Sequence, residues 1–262
     1  MNIVKKIFFY IFIFFVVLYS FFYFYIKPRY VVPVLMYHGV NDNTDSTLNV
    51  SVDNFSKQIS FLLKNGYNII SLDDLVNGIK NKKEFSSKTI VITFDDGLKD
   101  NYTNAFPILK KHNIPATIFL ISSYMDNKNE YLTWEQVKYM MEYNIDFGGH
   151  TKTHTYLPSI KSRKILQDEI LGSKIDIEQN INKEIKYFCY PVGGFNEQIK
   201  NIVKEARYKA SCATNRGYDR YNNDLYEINR IKITNSDMTK PLHFRAKISG
   251  YYNLFRKGKR GY

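Results

Sequence analysis

The chain has 262 residues, 44% of them hydrophobic and 16% aromatic, enough apolar material for one sizeable core in a single domain. Its formal net charge of +12 sits at the ends: all 25 acidic residues lie between Asp42 and Asp237, four basic residues precede them and seven follow from Lys240 onward. The body is nearly neutral, which excludes a basic nucleic-acid-binding domain and nucleic acid as a partner.

Ile7 to Ile26 is an apolar and aromatic run of 20 residues with Ser20 its one small polar member, led by Lys5 and Lys6 and followed by Lys27 and Arg29. That length matches a helix across a bilayer. The run is too long for the apolar region of a cleaved leader, and no alanine precedes Ala105, so residues 1–29 are expected to remain as a signal anchor. No cysteine precedes Cys189, which excludes lipid attachment at the N-terminus. Positive charge balances on the two flanks and barely discriminates orientation. A short tail inside and a long domain outside is the usual result for such an anchor, which puts residues 30–238 on the extracytoplasmic side, periplasmic or at the cell surface.

Strand-like runs follow near 32–37, 68–71, 89–94, 116–121, 145–148, 186–190, 209–213 and 226–233, with helical patterns at 54–65, 101–112, 134–143, 160–181 and 196–206. This alternation predicts parallel α/β structure with right-handed crossovers. Periodicity alone does not separate a barrel from an open sheet. The first strand, Val31 to Tyr37, carries His38 at its C-terminal tip. Asp73-Asp74 opens a helix, and helix capping accounts for that pair without catalysis.

Thr89-Ile90-Val91-Ile92 reads as a strand covered on both faces, and Gly97 ends it, so Asp95 and Asp96 fall at its C-terminal end, where α/β folds build sites. Adjacent side chains on an extended backbone diverge, so one carboxylate can hold a metal while its neighbour faces a substrate. His150 and His154 flank Thr151-Lys152-Thr153 after a second strand ended by Gly148-Gly149. Two histidines four apart and one aspartate make a three-ligand set with a position left for water, the arrangement of a catalytic zinc site, which other divalent transition metals also fit. The chain has only two cysteines, Cys189 and Cys212, on strands consecutive across one helix; they are either buried thiols or, in an oxidising compartment, a disulfide. Residues 239–262 form a basic tail with Tyr251, Tyr252, Leu254 and Phe255 interleaved, suited to an anionic membrane surface or to a disordered solubilising end.

Thr93-Phe94-Asp95-Asp96-Gly97, His150-Thr151-Lys152-Thr153-His154 and Tyr190-Pro191-Val192-Gly193-Gly194 occur in the order and spacing of the polysaccharide deacetylase family, also called carbohydrate esterase family 4 or the NodB-homology domain. The chain resembles that family from about Val32 to about Ile233. The resemblance implies a distorted (β/α) barrel and a metal-dependent hydrolase that removes N-acetyl groups from amino sugars. It implies Asp95 as general base, Asp96, His150 and His154 as zinc ligands, and the N–H of Val192, after Pro191, as oxyanion donor. Two departures stand out. Cys189 occupies the position of an arginine that bonds the base, and Arg230, in Glu227 to Ile233, is the residue offered in its place, against a solvated edge position for it. The C-terminal histidine motif that usually supplies the acid is missing, since His243 lies in the basic tail without an apolar strand before it.

The N-terminal strand ending in His38 resembles the membrane-associated poly-N-acetylglucosamine deacetylases, whose permuted barrel carries the acid there, so His38 is the expected general acid. The expected substrate is N-acetylglucosamine in an extracytoplasmic polysaccharide. A lipid-linked glycan and a catalytically silent carbohydrate-binding module on the same fold are the alternatives. No second carboxylate has a place opposite Asp95, which disfavours a glycosidase.

Overall fold

The computed structural model describes residues 3–43, 46–214, 219, 221–239 and 241–255. Its strands are β1 (Val34–Tyr37), β2 (Asn68–Ile70), β3 (Thr89–Phe94), β4 (Ala116–Leu120), β5 (Ile145–Gly149), β6 (Tyr187–Cys189), β7 (Ala210–Ala213), β8 (Ile228–Asn229) and β9 (Ile231–Lys232). Neighbours in the order β8-β7-β6-β5-β4-β3-β1-β9 pair in parallel, and β2 pairs with the first half of β3.

The strand expected over 226–233 is two strands divided at Arg230, and the division closes the sheet. Ile228 and Asn229 pair with Cys212 and Ala213 of β7, whereas Ile231 and Lys232 pair with Leu35 and Met36 of β1. One short segment therefore bridges both edges and turns the sheet into a nearly closed parallel barrel, leaving its edges paired.

Strand residues alternate between two apolar layers, as the period of 2 requires. Leu35, Tyr37, Ile90, Ile92, Phe94, Ile118 and Phe188 join the large core under the surrounding helices. Val34, Val91, Phe119, Tyr187, Cys189, Cys212 and Ile228 form a smaller cluster inside the barrel. Leu72, Leu75 and Val76 of the helix Leu72–Lys80 belong to that inner cluster, so this helix plugs the N-terminal end of the barrel. Ser71 caps it by accepting from the Asp74 N–H, and Asp73 is tied to the start of β6 through Tyr187 Oη at 2.5 Å and Lys186 Nζ at 2.9 Å. Asp73 and Asp74 thus lie at the opposite end of the barrel from Asp95. Ser51, Thr133 (with Gln136 in a capping box), Ser162 and Asn196 cap four other helices, each contributing about 1 kcal/mol.

The helix expected at 160–181 is interrupted by a π turn at Asp168–Gly172, and the one at 101–112 begins with a π turn at Asn101–Ala105. Both turns face the site described below.

At the N-terminus, Ile3–Arg29 is a helical segment long and apolar enough to cross a membrane, with none of its apolar stretch buried against the body. The chain joins the body at Tyr30 and Val31, where the Val31 N–H bonds Gly250 O. The first part of the expected tail is a piece of the folded body rather than a separate segment. Pro241–Lys247 inserts Phe244, followed by Ile248, into the core, and Lys247 Nζ bonds Asp237 Oδ2 at 2.8 Å and Lys232 O at 2.7 Å. Interleaved aromatic and basic residues on a short helix put apolar groups on one face, which net charge alone conceals. Lys240, Arg256, Lys257, Lys259 and Arg260 of that tail lie outside the described residues.

Candidate active site

Asp95 follows β3 in phase with Val91 and Thr93, so its carboxylate enters the barrel mouth, where it is buried. Asp96 and Gly97 have φ of 75° and 70°, and these two left-handed residues swing the Asp96 carboxylate away from that of Asp95. Gly97 is required there twice over, since a Cβ would also meet the Leu120 side chain at 2.8 Å.

Arg230, placed inside by the division between β8 and β9, forks onto the Asp95 carboxylate. Its Nη1 donates to Asp95 Oδ1 at 2.6 Å and its Nη2 to Oδ2 at 2.7 Å, with further bonds to Thr93 Oγ1 and Ala213 O. Burial raises the Asp95 pKa, but the guanidinium beside it more than offsets this and holds the carboxyl well below the usual carboxylate range. Arg230 is thus not the solvated edge residue that its position in sequence equally allowed. The thiol of Cys189 lies 2.9 Å from Arg230 Nη2 and 3.7 Å from Asp95 Oδ1, and burial pushes its pKa up. Cys189 and Cys212 are register partners on β6 and β7, and both are free thiols.

His150 follows β5, and its Nδ1–H donates to Cys189 O at 2.8 Å, which turns Nε2 toward Asp96. Asp96 Oδ1 stands 3.5 Å from His150 Nε2 and 3.3 Å from His154 Nε2. That oxygen is buried and has no well-aligned hydrogen bond among the described residues. A buried carboxylate oxygen facing two imidazole nitrogens is the donor set of a divalent cation, and Asp96, His150 and His154 fit one. Asp95, His150 and Cys189 also converge, but Arg230 occupies both Asp95 oxygens and the protonated thiol is a poor ligand.

His38 lies just past β1, with Nε2 3.8 Å from Asp95 Oδ2. Burial lowers its pKa, opposed by the charges of Asp95 and Asp96. Its loop is held from the Asn101–Ala105 π turn: Asn101 Nδ2 donates to His38 O at 2.8 Å and Asn104 Nδ2 to Val40 O at 2.7 Å. Pro191–Gly193 forms a tight turn directly after β6, with Val192 at φ 56° and 52% exposed. The Val192 N–H has no acceptor among the described residues.

The structure therefore brings Asp95, Asp96, His38, His150, His154 and Arg230 together at the C-terminal end of the barrel, with the Pro191-Val192 turn following the strand that holds His150. Sequence reasoning missed Asn101, Asn104 and Glu169. Glu169 had left a signal, because it falls on the apolar stripe of Leu166, Ile170, Ser173 and Ile177, where a carboxylate is out of place.

A parallel barrel that gathers two carboxylates, three histidines and a buried arginine at its strand ends is the arrangement expected of a carbohydrate deacetylase, and the comparisons with known proteins point to the same family. The polysaccharide deacetylase family profile matches residues 82–211, which include the Asp95, His150 and Pro191 motifs but neither His38 nor Arg230. A Bacillus subtilis (strain 168) protein named as a polysaccharide deacetylase, YxkH, is 30% identical over 202 residues, 77% of this chain and 71% of that one. Poly-β-1,6-N-acetyl-D-glucosamine N-deacetylase of Staphylococcus aureus (strain MSSA476) is 28% identical over 197 residues, 71% of this chain and 68% of that one. The structure of Streptococcus pyogenes deacetylase PplD in complex with acetate superposes with a TM-score of 0.76 at 28% identity, covering 83% of this chain and 97% of that one. The chain belongs to the polysaccharide deacetylase family.

Proposed function

We propose that this chain is a membrane-anchored, metal-dependent hydrolase that removes N-acetyl groups from N-acetylglucosamine residues of an extracytoplasmic polysaccharide. The observation that carries this reading is the orphaned Asp96 oxygen facing His150 and His154 beside a base that Arg230 keeps ionised. The named substrate of the Staphylococcus aureus relative supports the choice of polymer, and the apolar helix Ile3–Arg29 supports the anchor.

Asp96, His150 and His154 would hold the cation, zinc or another divalent transition metal, which when bound supplies an acidified water and polarises the amide oxygen. Asp95 takes a proton from the attacking water. The His38 imidazole, with Nε2 3.8 Å from Asp95 Oδ2, is placed to pass a proton to the departing amine. The Val192 N–H is the donor for the oxyanion, a role that no side chain at that position alters.

The test is acetate release from N-acetylglucosamine oligomers by the detergent-purified full chain, chelated and then reloaded with Zn²⁺, with Asp95→Asn as blank. Metal-dependent release absent from the blank supports the reading. A zinc-loaded protein that releases nothing overturns it in favour of a lipid-linked glycan substrate or a silent binding module.

A further inference from the structure

The loop that presents the second histidine has no regular structure, and two of its residues, Thr151 and His154, have φ of 65° and 61°. Such a loop keeps its shape only where its surroundings over-determine it. Here its polar groups are held from two sides. The 3₁₀ turn Ser122–Tyr124, which follows β4, supplies the donors: Ser122 N–H to Thr151 O, Ser123 N–H to Lys152 O at 3.1 Å, and Tyr124 Oη to Thr153 O at 3.1 Å. The His154 N–H donates within the loop to Thr151 Oγ1 at 3.0 Å, and the acceptors for Lys152 and Thr153 come from one side chain. Glu169 Oε2 accepts the N–H groups of both Lys152 and Thr153 at 3.0 Å, and Oε1 accepts the Thr153 hydroxyl at 2.6 Å.

Glu169 is 7% exposed, and among the described residues no cationic side chain lies within ion-pair distance of it. A buried carboxylate without a cation is costly unless its hydrogen bonds satisfy it, and all those it makes here come from the histidine loop. The π turn Asp168–Gly172 puts the extra residue into the helix at this point, so that Glu169 and Ile170 are both buried. Single π turns of this kind cluster at functional sites.

We propose that Glu169 is a positioning residue for metal capture: by fixing the Lys152 and Thr153 peptides it sets the direction in which His154 Nε2 meets Asp96 and His150. This rests on the metal reading of the Asp96–His150–His154 trio. Glu169 touches neither the cation nor substrate, so its effect is on the geometry and affinity of the site.

The experiment uses the full chain in detergent, stripped by chelation, as wild type, Glu169→Ala and Glu169→Gln. Zinc affinity is measured by chelator competition, and ligand geometry by the visible ligand-field bands at saturating Co²⁺. Glu169→Ala is expected to bind zinc about 10–100-fold more weakly, the usual effect of losing an outer-shell partner, and to shift the Co²⁺ bands even when fully loaded. Glu169→Gln keeps one acceptor oxygen for the two N–H groups and should fall between the two. A purely structural role would lower the melting temperature of the metal-free protein and leave the saturated Co²⁺ bands where they are, which overturns the proposal. If the alanine protein does not fold, Glu169→Gln decides: weakened zinc binding supports the proposal and wild-type affinity overturns it. Failure of the wild type to bind any divalent cation sinks the metal reading as well, whereas equal tight binding by all three proteins sinks the proposal alone.

Discussion

Replacing Arg230 with methionine should expose how much the barrel depends on its one buried fork. Arg230 is 1% exposed and Asp95 3%, and both carboxylate oxygens are within 2.7 Å of the guanidinium. Removing one partner of such a pair leaves an uncompensated buried charge, which costs about 3–5 kcal/mol. For a body of this size each kcal/mol lowers the melting temperature by about 2–4 °C, so a drop on the order of 10 °C is expected at neutral pH. The pH dependence gives the sharper test. In the wild type the Asp95 pKa is depressed, so its stabilisation is present above the unfolded carboxylate value and is lost only as pH falls through the depressed folded value. In Arg230→Met burial dominates and the pKa rises above the unfolded value, so acidification through that raised value restores stability. The gap between the two proteins should be widest near neutrality and narrow as pH falls. The assay is thermal melting of the full chain in detergent at several pH values, with metal chelated so that a cation cannot replace the lost guanidinium. A variant that melts with the wild type across the range would refute the pairing as the reason for Arg230.

Three further substitutions probe the chemistry. Asp95→Asn should abolish acetate release while the protein still binds zinc in a chelator competition; loss of the metal instead would mean the two carboxylates have been given each other's roles. His38→Ala should slow release by ~10²–10⁴, the range for an acid–base group, without metal loss, and wild-type rates would remove it from the mechanism. Val192→Gly should leave acetate release unchanged, because the N–H remains. Relief of about 1–2 kcal/mol of left-handed strain is offset by about 0.5–1 kcal/mol of glycine entropy, so the melting temperature should hold or rise slightly. A large loss of rate in that variant would assign a role to the exposed isopropyl group.

Strand and helix positions were legible because the pattern that marks them is local. Thr89–Phe94 and Ala116–Leu120 are continuous apolar runs, as strands covered on both faces must be. Barrel closure was legible only through the family resemblance, which implied the barrel that is found, because nothing in Ile228-Asn229-Arg230-Ile231 itself says that its first half pairs with β7 and its second with β1. Nor does the charge pattern after Lys240 reveal that Phe244 and Ile248 complete the core. In both places the sequence specifies residue types, and the partner is decided by a tertiary arrangement.

The same division runs through the site. Asp95, Asp96, His150 and His154 carry their chemistry in their spacing, since a ligand set needs its donors at strand ends and in a tight loop. What holds them is distributed. Arg230 reaches Asp95 across 135 positions, and Glu169 reaches the histidine loop across 16, each from an element whose pattern is otherwise that of ordinary packing. Yet the substitution of the family's arginine by Cys189 could be interpreted in advance. An ionised carboxylate is costly to bury unless a cation or a full set of hydrogen bonds compensates it, so a chain that keeps Asp95 and lacks that arginine needs a replacement partner from elsewhere. The barrel-closing segment is where a residue can enter the interior in phase with Ile228 and still arrive beside Asp95. Closing the barrel and holding the Asp95 carboxylate are therefore one structural act, which is why changes at Arg230 should register in stability and, on the proposed function, in catalysis together.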